Sequence, residues 1–311
     1  MKGINVVYRV EVLLSTYNGE KYIEKQIESI LSQSNVNVHI TIRDDGSKDE
    51  TTRIITEICE RVPGKINLII GDNLGYRKSF LSLLKQAEEA DFYAFSDQDD
   101  IWMSEKLDRA TTVLSLMCSK VKLYASNIAI MDEQLNQIGF NNVATMPRTI
   151  ESYFTRSRLA GCTFVFSDEL KRYAQNFADI DFSPEMMPDH DFVVGACAFT
   201  LGEVFIDDKS YIYHIRHDNS VTSGGNGILK RIKVEYQIVF KRKSVRYNVA
   251  RLLLKEFSNE IPLGNKMFLE QIEQYKDNLK NRYRLLMNSK MKSGLPICDI
   301  EQKFKILVGS Y

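Results

Sequence analysis

The run Asp97-Gln98-Asp99-Asp100 places three carboxylates within four positions, directly after the apolar segment 92–95. Like charges this close repel, and removing them from water is costly unless a cation or hydrogen bonds compensate. Mg²⁺ and Mn²⁺ prefer oxygen ligands and often share carboxylates with substrate phosphates. The run therefore predicts a site for Mg²⁺ or Mn²⁺ and a diphosphate. The alternative is that the acids begin a helix, where the dipole favours them, and we assign Asp100 to that role.

Two further polar segments follow predicted strands, at residues 15–20 and 43–47. The second contains Asp44-Asp45-Gly46-Ser47, a composition that is also common in ordinary turns. A carboxylate at this position could instead accept a hydrogen bond from the imide N–H of uracil or thymine. Because ligands of parallel sheets bind beyond the carboxyl ends of the strands, we expect these segments and the acidic run to meet at one sheet edge.

Three of the four histidines lie within 28 positions, at His190, His214 and His217. Neutral imidazole is a good ligand for Mn²⁺, although a histidine can also serve only a local hydrogen bond. We favour His217 as the functional histidine, because Asp218-Asn219-Ser220 and a glycine-rich segment follow it. His214 remains the alternative.

Two aspartates, Asp189 and Asp191, flank His190 in a segment that follows Pro184 and Pro188. A carboxylate held in place could act as the general base that deprotonates a sugar hydroxyl. The alternative is that these acids only cap a helix that starts before residues 192–194. We assign the base to Asp191 in preference to Asp189.

Strand and helix patterns alternate through the first hundred residues, with strands predicted at 12–14, 38–42, 66–70 and 92–95. The intervening segments repeat apolar residues at helical spacing, so the pattern predicts an α/β fold with a mostly parallel central sheet. Further strands are predicted at 123–131, 159–166, 204–206 and 211–215.

The chain has 311 residues, of which 44% are hydrophobic and 26% charged, as in soluble globular proteins. It contains no uncharged apolar stretch of the ~20 residues that span a bilayer, and it opens without a signal-peptide core, so we expect a cytoplasmic protein. Its five cysteines show no CxxC spacing and are expected to be reduced.

Residues 228–311 contain 18 basic and 8 acidic side chains, a net charge of +10, whereas the rest of the neutral chain carries −10. This asymmetry predicts a catalytic domain at 1–227, with halves at about 1–120 and 121–227, and a basic helical extension at 228–311. The extension could contact an anionic membrane face, form a homodimer, or present an ordinary solvated helix surface.

Several motifs together resemble the family 2 glycosyltransferases, which have the GT-A nucleotide-diphospho-sugar transferase fold, over residues 8–225. The matching segments are Ser15-Thr16-Tyr17-Asn18-Gly19-Glu20, Asp44-Asp45-Gly46-Ser47, Asn73-Leu74-Gly75 and the DxD motif Asp97-Gln98-Asp99. Three more segments are similar to the bacterial rhamnosyltransferase branch, of the streptococcal rhamnose-polysaccharide type: 96–102, Gly161-Cys162-Thr163 and His190-Asp191-Phe192.

The resemblance implies an inverting, metal-dependent sugar transfer in which Asp191 is the catalytic base and Asp99 and His217 hold the metal. It implies that the donor nucleotide is bound by Ser15, Tyr17, Asp45, Asn73, Gly75 and Asp97. It implies an acceptor or donor-sugar pocket formed by Trp102, Gly161, Cys162, Thr163 and His190.

The implied donor is dTDP-rhamnose or a UDP-sugar, and the implied acceptor is a glycan or an undecaprenyl-linked glycan, with no role for nucleic acid. Within the same fold, a UDP-hexose or UDP-N-acetylhexosamine transferase is the alternative. A non-catalytic nucleotide-sugar-binding scaffold is a second alternative, which the intact set Asp97, Asp99, Asp191 and His217 disfavours.

Overall fold

The computed structural model describes residues 6–141, 143, 145–215 and 244–311. The chain divides into two compact units. The first comprises residues 1–144, 159–179 and 203–216, and the second comprises residues 145–158, 180–202 and 217–311. The predicted boundary between residues 227 and 228 lies outside the described residues and stays a prediction.

A nine-stranded mixed sheet forms the first unit. Its strands are β1 (Tyr8–Thr16), β2 (Val36–Asp44), β3 (Ile66–Ile70), β4 (Phe92–Ser96), β5 (Asp100–Trp102), β6 (Lys122–Met131), β7 (Gln137–Asn141), β8 (Val165–Ser167) and β9 (Glu203–Ile215). The order is β3-β2-β1-β4-β8-β6-β9-β5, and β7 pairs with β6. The first four strands pair in parallel, as the alternating pattern predicted.

Helices of the first unit are α1 (Ile23–Leu31), α2 (Thr51–Arg61), α3 (Tyr76–Gln86), α4 (Lys106–Leu116) and α6 (Asp168–Gln175). Helices of the second unit are α5 (Ile150–Thr155), α7 (His190–Leu201), α8 (Val245–Phe257), α9 (Leu263–Gln274), α10 (Leu279–Leu286) and α11 (Pro296–Val308). None of the helices in the described part of the chain has the length and hydropathy needed to cross a bilayer.

Alternation of apolar side chains along the central strands explains the core of the first unit. Val12 and Leu14 point to one face of β1, where they join Ile40 of β2 and Ile27 and Ile30 of α1 in one buried cluster. Burying such side chains is the main favourable contribution to folding, at about 1.5–3 kcal/mol each. The cluster fixes the strands, and so it fixes the polar segments at their carboxyl ends.

Two sequence predictions about later strands were wrong in detail. The predicted strand at 159–166 is instead a 3₁₀ turn at Gly161–Thr163 followed by the short β8, because the Thr163 and Phe164 amides bond back to the Ala160 and Gly161 carbonyls. The segments at 204–206 and 211–215 belong to one strand, β9, whose pairing with β6 shifts register between them. The strand predicted at 66–70 is confirmed with those bounds.

Aromatic packing organises the second unit around Tyr153 of α5. Its ring stacks on Phe192 and Phe199 of α7 at centroid distances of 5.6 and 4.7 Å. Its hydroxyl donates to the Asp191 carbonyl at 2.8 Å. A Cβ on Gly195 would lie 2.0 Å from this hydroxyl, so the close approach of the two helices requires glycine there. These contacts fix the first turn of α7.

Candidate active site at the carboxyl edge of the sheet

The polar end of β1 is tied to the acidic run through Gln98. The Gln98 Oε1 accepts from Thr16 Oγ1 at 2.7 Å and from the Tyr17 amide at 2.9 Å. Its Nε2 donates to the Tyr17 carbonyl at 3.3 Å. The end of β2 joins the same edge, because the Asp45 amide donates to the Thr16 carbonyl at 2.8 Å. The expected meeting of the three strand ends is therefore confirmed.

Asp45 organises the loop that precedes α3. Its carboxylate accepts from the amides of Leu74 and Gly75 at 2.9 and 2.8 Å and from Arg43 Nη2 at 3.0 Å. Gly75 adopts φ of +77°, a conformation that glycine tolerates best. The structure thus joins Asp45 to the segment Asn73–Gly75. The role of these residues in nucleotide binding stays a prediction.

The other predicted donor residues of the first unit lie on the same edge. Ser15 Oγ is 2.6 Å from Ser79 Oγ of α3, and Asn73 Oδ1 accepts from the Gly75 amide at 3.1 Å. The Tyr17 side chain is exposed. An exposed aromatic ring beside buried polar anchors can contact a planar ligand such as a nucleotide base.

The three acids of the run occupy different environments. Asp97 and Asp99 are half-buried, whereas Asp100 is buried and is the first residue of β5. The assignment of Asp100 to a helix start was wrong, because α4 begins only at Lys106. Pairing of β5 with β9 places Asp100 in register with His214 and removes it from solvent.

His214 is held by this buried carboxylate. Its Nδ1 lies 2.7 Å from Asp100 Oδ1. The hydrogen bond to Asp100 raises the pKa of His214 to about 9, and the charges of Asp100, Asp97 and Asp99 act in the same direction against burial. The histidine is therefore within the field of all three acids. His217, which we favoured from the sequence, lies outside the described residues.

Side chains that could bind a cation lie close together beside His214. Oxygens of Asp97 and Asp100 and the Cys162 sulfur all lie within 4.8 Å of one another. Asp100 Oδ2 is buried and accepts no hydrogen bond from the described residues. Burial, with the nearby carboxylates, raises the pKa of Cys162 well above its ordinary value, which keeps the thiol protonated. The remaining donors are carboxylates, and these fit Mg²⁺ or Mn²⁺.

The residues predicted to form a sugar pocket are mostly enclosed. Gly161, Cys162 and Thr163 are buried, and Thr163 Oγ1 donates to the Ala160 carbonyl at 2.7 Å. Trp102 is buried too, and the Lys106 Nζ lies 3.4 Å from the centroid of its ring. Their contact with a sugar stays a prediction.

Sequence reasoning missed three residues of this edge: Gln98, Asp100 as a histidine partner, and Lys106. Gln98 was visible as the middle residue of DxD, but its partners lie about eighty positions earlier in the chain. Lys106 is buried and its Nζ makes no hydrogen bond to the described residues. Nothing in its sequence context signals that burial.

In the second unit, Asp191 lies in the first turn of α7. The helix begins at His190, which is buried, and Asp189 is the N-cap residue, with no capping hydrogen bond from its side chain. Asp191 Oδ1 accepts from the Phe192 amide at 2.6 Å. A helix N-terminus favours the ionised carboxylate, the form a general base requires. The catalytic role of Asp191 stays a prediction.

Comparisons with known proteins find glycosyltransferases among the proteins that this chain resembles. Residues 11–115 match the family described as Glycosyl transferase family 2. The dTDP-rhamnosyl transferase RfbG of Shigella flexneri is 29% identical over 253 residues, which cover 76% of this chain and 79% of that protein. The Escherichia coli protein WfgD, a UDP-Glc:alpha-D-GlcNAc-diphosphoundecaprenol beta-1,3-glucosyltransferase, is 31% identical over 108 residues, or 34% of this chain and 41% of that one.

Among solved structures, the Staphylococcus aureus TarS fragment 1–349 superimposes with a TM-score of 0.55 at 20% identity. The match covers 96% of this chain and 80% of that one. At this identity the likeness concerns the fold alone. The predicted GT-A fold, with a mostly parallel central sheet and C-terminal helices, is confirmed, and the sheet is mixed because further strands pair antiparallel.

Proposed function

Because this chain is a glycosyltransferase with a family 2 domain at residues 11–115, we propose that it is an inverting, metal-dependent rhamnosyltransferase. It would transfer L-rhamnose from dTDP-rhamnose to a hydroxyl of a glycan or undecaprenyl-linked acceptor at the cytoplasmic face of the membrane. The product would enter cell-surface polysaccharide. The observation that carries the proposal is the convergence of Gln98, Asp45 and the acidic run at one edge of the sheet.

The choice of donor is supported by the extent of similarity. The relative described as a dTDP-rhamnosyl transferase matches this chain over 76% of its length, through both predicted halves of the catalytic domain. The relative described as using UDP-glucose matches only 34%. Because this second match is shorter, we keep a UDP-hexose or UDP-N-acetylhexosamine transferase as the second candidate.

The donor nucleotide would lie along the confirmed strand ends. Tyr17 and Ser15 would contact the base, with Asp45 accepting its imide N–H or holding the Asn73–Gly75 loop against it. Asp97 would position the ribose. All of these side chains come from strand ends or from loops that hydrogen bonds fix, and such preorganisation lowers the entropic cost of binding.

Asp99 would hold the divalent cation, with Asp97 and Asp100 supplying nearby negative charge. When bound, a divalent cation neutralises the charge that develops on a departing diphosphate. His214, which Asp100 holds through Nδ1, would donate a hydrogen bond from Nε2 to the diphosphate, because a pKa of about 9 keeps the ring protonated at neutral pH. His217 remains the alternative histidine.

Asp191 would accept the proton of the acceptor hydroxyl as the hydroxyl oxygen attacks the anomeric carbon. The bond to the diphosphate oxygen breaks as the new glycosidic bond forms, so the configuration inverts and no covalent enzyme intermediate is needed. The Phe192 amide holds one oxygen of Asp191, which orients the carboxylate.

A donor panel tests the proposal. Thermal unfolding is measured with dTDP, UDP and GDP, each with and without Mn²⁺ or Mg²⁺, because a ligand that binds only the folded state raises the midpoint. We expect the largest shift with dTDP and metal, and slow release of dTDP from dTDP-rhamnose. A larger shift with UDP would transfer the assignment to the second candidate. No shift with any nucleotide would contradict the proposal.

A further inference from the structure

Helix α11 carries a row of large apolar side chains on its solvent-facing side. Ile297, Ile300, Phe304, Leu307 and Val308 recur at spacings of three, four, three and one, which places them within an arc of about 100° on the helix. All five are exposed, Ile297 by 83%. The opposite side of the helix is already packed through Gln302, Lys305 and Ile306. The exposed row thus lies on the side of the helix away from these buried residues.

The neighbouring helix α10 also exposes apolar side chains. Leu279 and Tyr283 lie one turn apart, and Met287 follows directly after the helix. All three are exposed, Leu279 by 79%, whereas Leu285 on the other side is buried. The Arg282 Nη1 donates to the Leu307 carbonyl at 3.3 Å, so the two helices pack together. Eight large apolar side chains exposed on two packed helices exceed the single, scattered apolar exposures that are normal on a protein surface.

Cations outnumber acids among the exposed charges of this part of the chain, although Asp277, two residues before Leu279, is also exposed. We define the basic apolar face as the eight exposed apolar residues above together with the exposed cations Lys280, Arg284, Lys290, Lys292 and Lys303. Within residues 279–311, all of which the structure describes, no acidic side chain is exposed. Asp299 accepts from the Ser293 amide and hydroxyl, and Glu301 pairs with Lys305 and Arg156. Asp299 and Glu301 are thus paired within the unit. Lys290 also pairs with Glu151, at 3.6 Å, and the other four cations are exposed.

From this arrangement we propose that the basic apolar face docks on an anionic lipid bilayer, with α10 and α11 lying in the interface plane. Apolar side chains of such helices enter the boundary between headgroups and acyl chains, and Lys and Arg meet the anionic headgroups. If two copies of the chain met through this face, the cations of one copy would face the same cations of the other. Charge complementarity therefore favours the bilayer over self-association. The lipid-linked acceptor of the proposed function would give this docking a purpose, whereas the docking itself depends only on the exposed residues of α10 and α11.

Vesicle sedimentation tests the docking. The full chain is mixed with phosphatidylcholine vesicles, with and without about 30% phosphatidylglycerol, at low salt and at about 0.5 M salt. We expect binding to the anionic vesicles only, weakened at high salt. The variant Lys280→Gln/Arg284→Gln should bind about fivefold more weakly for each charge removed. The variant Ile297→Ser/Ile300→Ser should lose at least about tenfold.

Leu116→Ser is the matched control, because Leu116 is 80% exposed at the end of α4 in the first unit. It should bind vesicles as the parent chain does. Nucleotide affinity, measured without vesicles, should be unchanged in all these variants. A failure of docking is thereby distinguished from a failure of the proposed function, in which nucleotide binding itself is missing.

Two results would overturn the proposal. One is equal vesicle binding by the parent chain and Ile297→Ser/Ile300→Ser, or no binding by either. The other is a stable dimer of the parent chain in sedimentation velocity that this variant converts to monomer, since the face would then be a contact between copies.

Discussion

Asp100 and His214 face each other across β5 and β9, with Oδ1 and Nδ1 2.7 Å apart. The third acid of the run is therefore the partner of a histidine that lies 114 positions later in the chain. This relationship makes His214 a fixed part of the acidic edge.

Substitution Asp100→Asn should lower the pKa of His214 from about 9 towards its ordinary value, because the charge-assisted hydrogen bond is lost. NMR titration can follow this change, since the chain has only four histidines. We expect turnover to fall by roughly 10–100-fold, the usual cost of losing a carboxylate that orients a metal-site histidine. Glu105→Gln, at an exposed site, is the control. An unchanged His214 titration would refute the pairing.

Asp99→Asn should abolish the metal-dependent part of nucleotide binding while the fold stays intact. The reason is that the half-buried carboxylate is proposed to carry a hard cation, for which an amide is a poor substitute. Calorimetry with dTDP, with and without Mn²⁺, measures the effect. Asp132→Asn, at a turn between β6 and β7, serves as the control. Unchanged Mn²⁺-dependent affinity in Asp99→Asn would remove this residue from the metal site.

Asp191→Asn should lower turnover by roughly 10²–10⁴-fold, the usual contribution of general acid–base catalysis. Donor binding should survive, because the change affects only proton transfer from the acceptor. Single-turnover assays and nucleotide affinity measured side by side separate the two effects. Asp189→Asn, at the N-cap of the same helix, is the matched control. Near-normal turnover in Asp191→Asn would assign the base to another residue.

Lys106→Met should alter the pH dependence of stability. Burial lowers the pKa of Lys106 to about 7 from its ordinary 10.5, and the charges of Cys162 and Asp100 offset only part of that effect. Between these values the unfolded chain binds more protons, so this lysine makes stability rise with pH. The free energy of unfolding of the parent chain should therefore increase relative to the variant from about pH 6 to about pH 9.

Urea unfolding of both proteins at each pH measures this difference in the free energy of unfolding. The contributions of titratable groups that both proteins share cancel in the difference. Lys48→Met, at an exposed position, should show no such trend. A constant difference between the parent chain and Lys106→Met would show that the buried amine does not titrate in this range.

The sheet edge could be predicted because its signals are local in sequence. Apolar segments, with β-branched residues in β1 to β3 and aromatic residues in β4, mark these strands, and polar residues end or follow each of them. Parallel pairing then forces these ends to one side, whatever the detailed packing. The prediction of a strand at 159–166 was wrong, because the apolar residues of this segment show no periodicity that would distinguish a turn from a strand.

The sequence by itself determined the α/β order of the first unit and the polar strand ends. It also determined the excess of basic residues at 228–311. Only the tertiary structure decided which acid of the run is buried, that Lys106 is enclosed beneath Trp102, and that the apolar row of α11 faces solvent. The physical reason is that burial and hydrogen-bond partners depend on contacts between segments far apart in the chain. Such contacts leave no periodic pattern in the residues that make them.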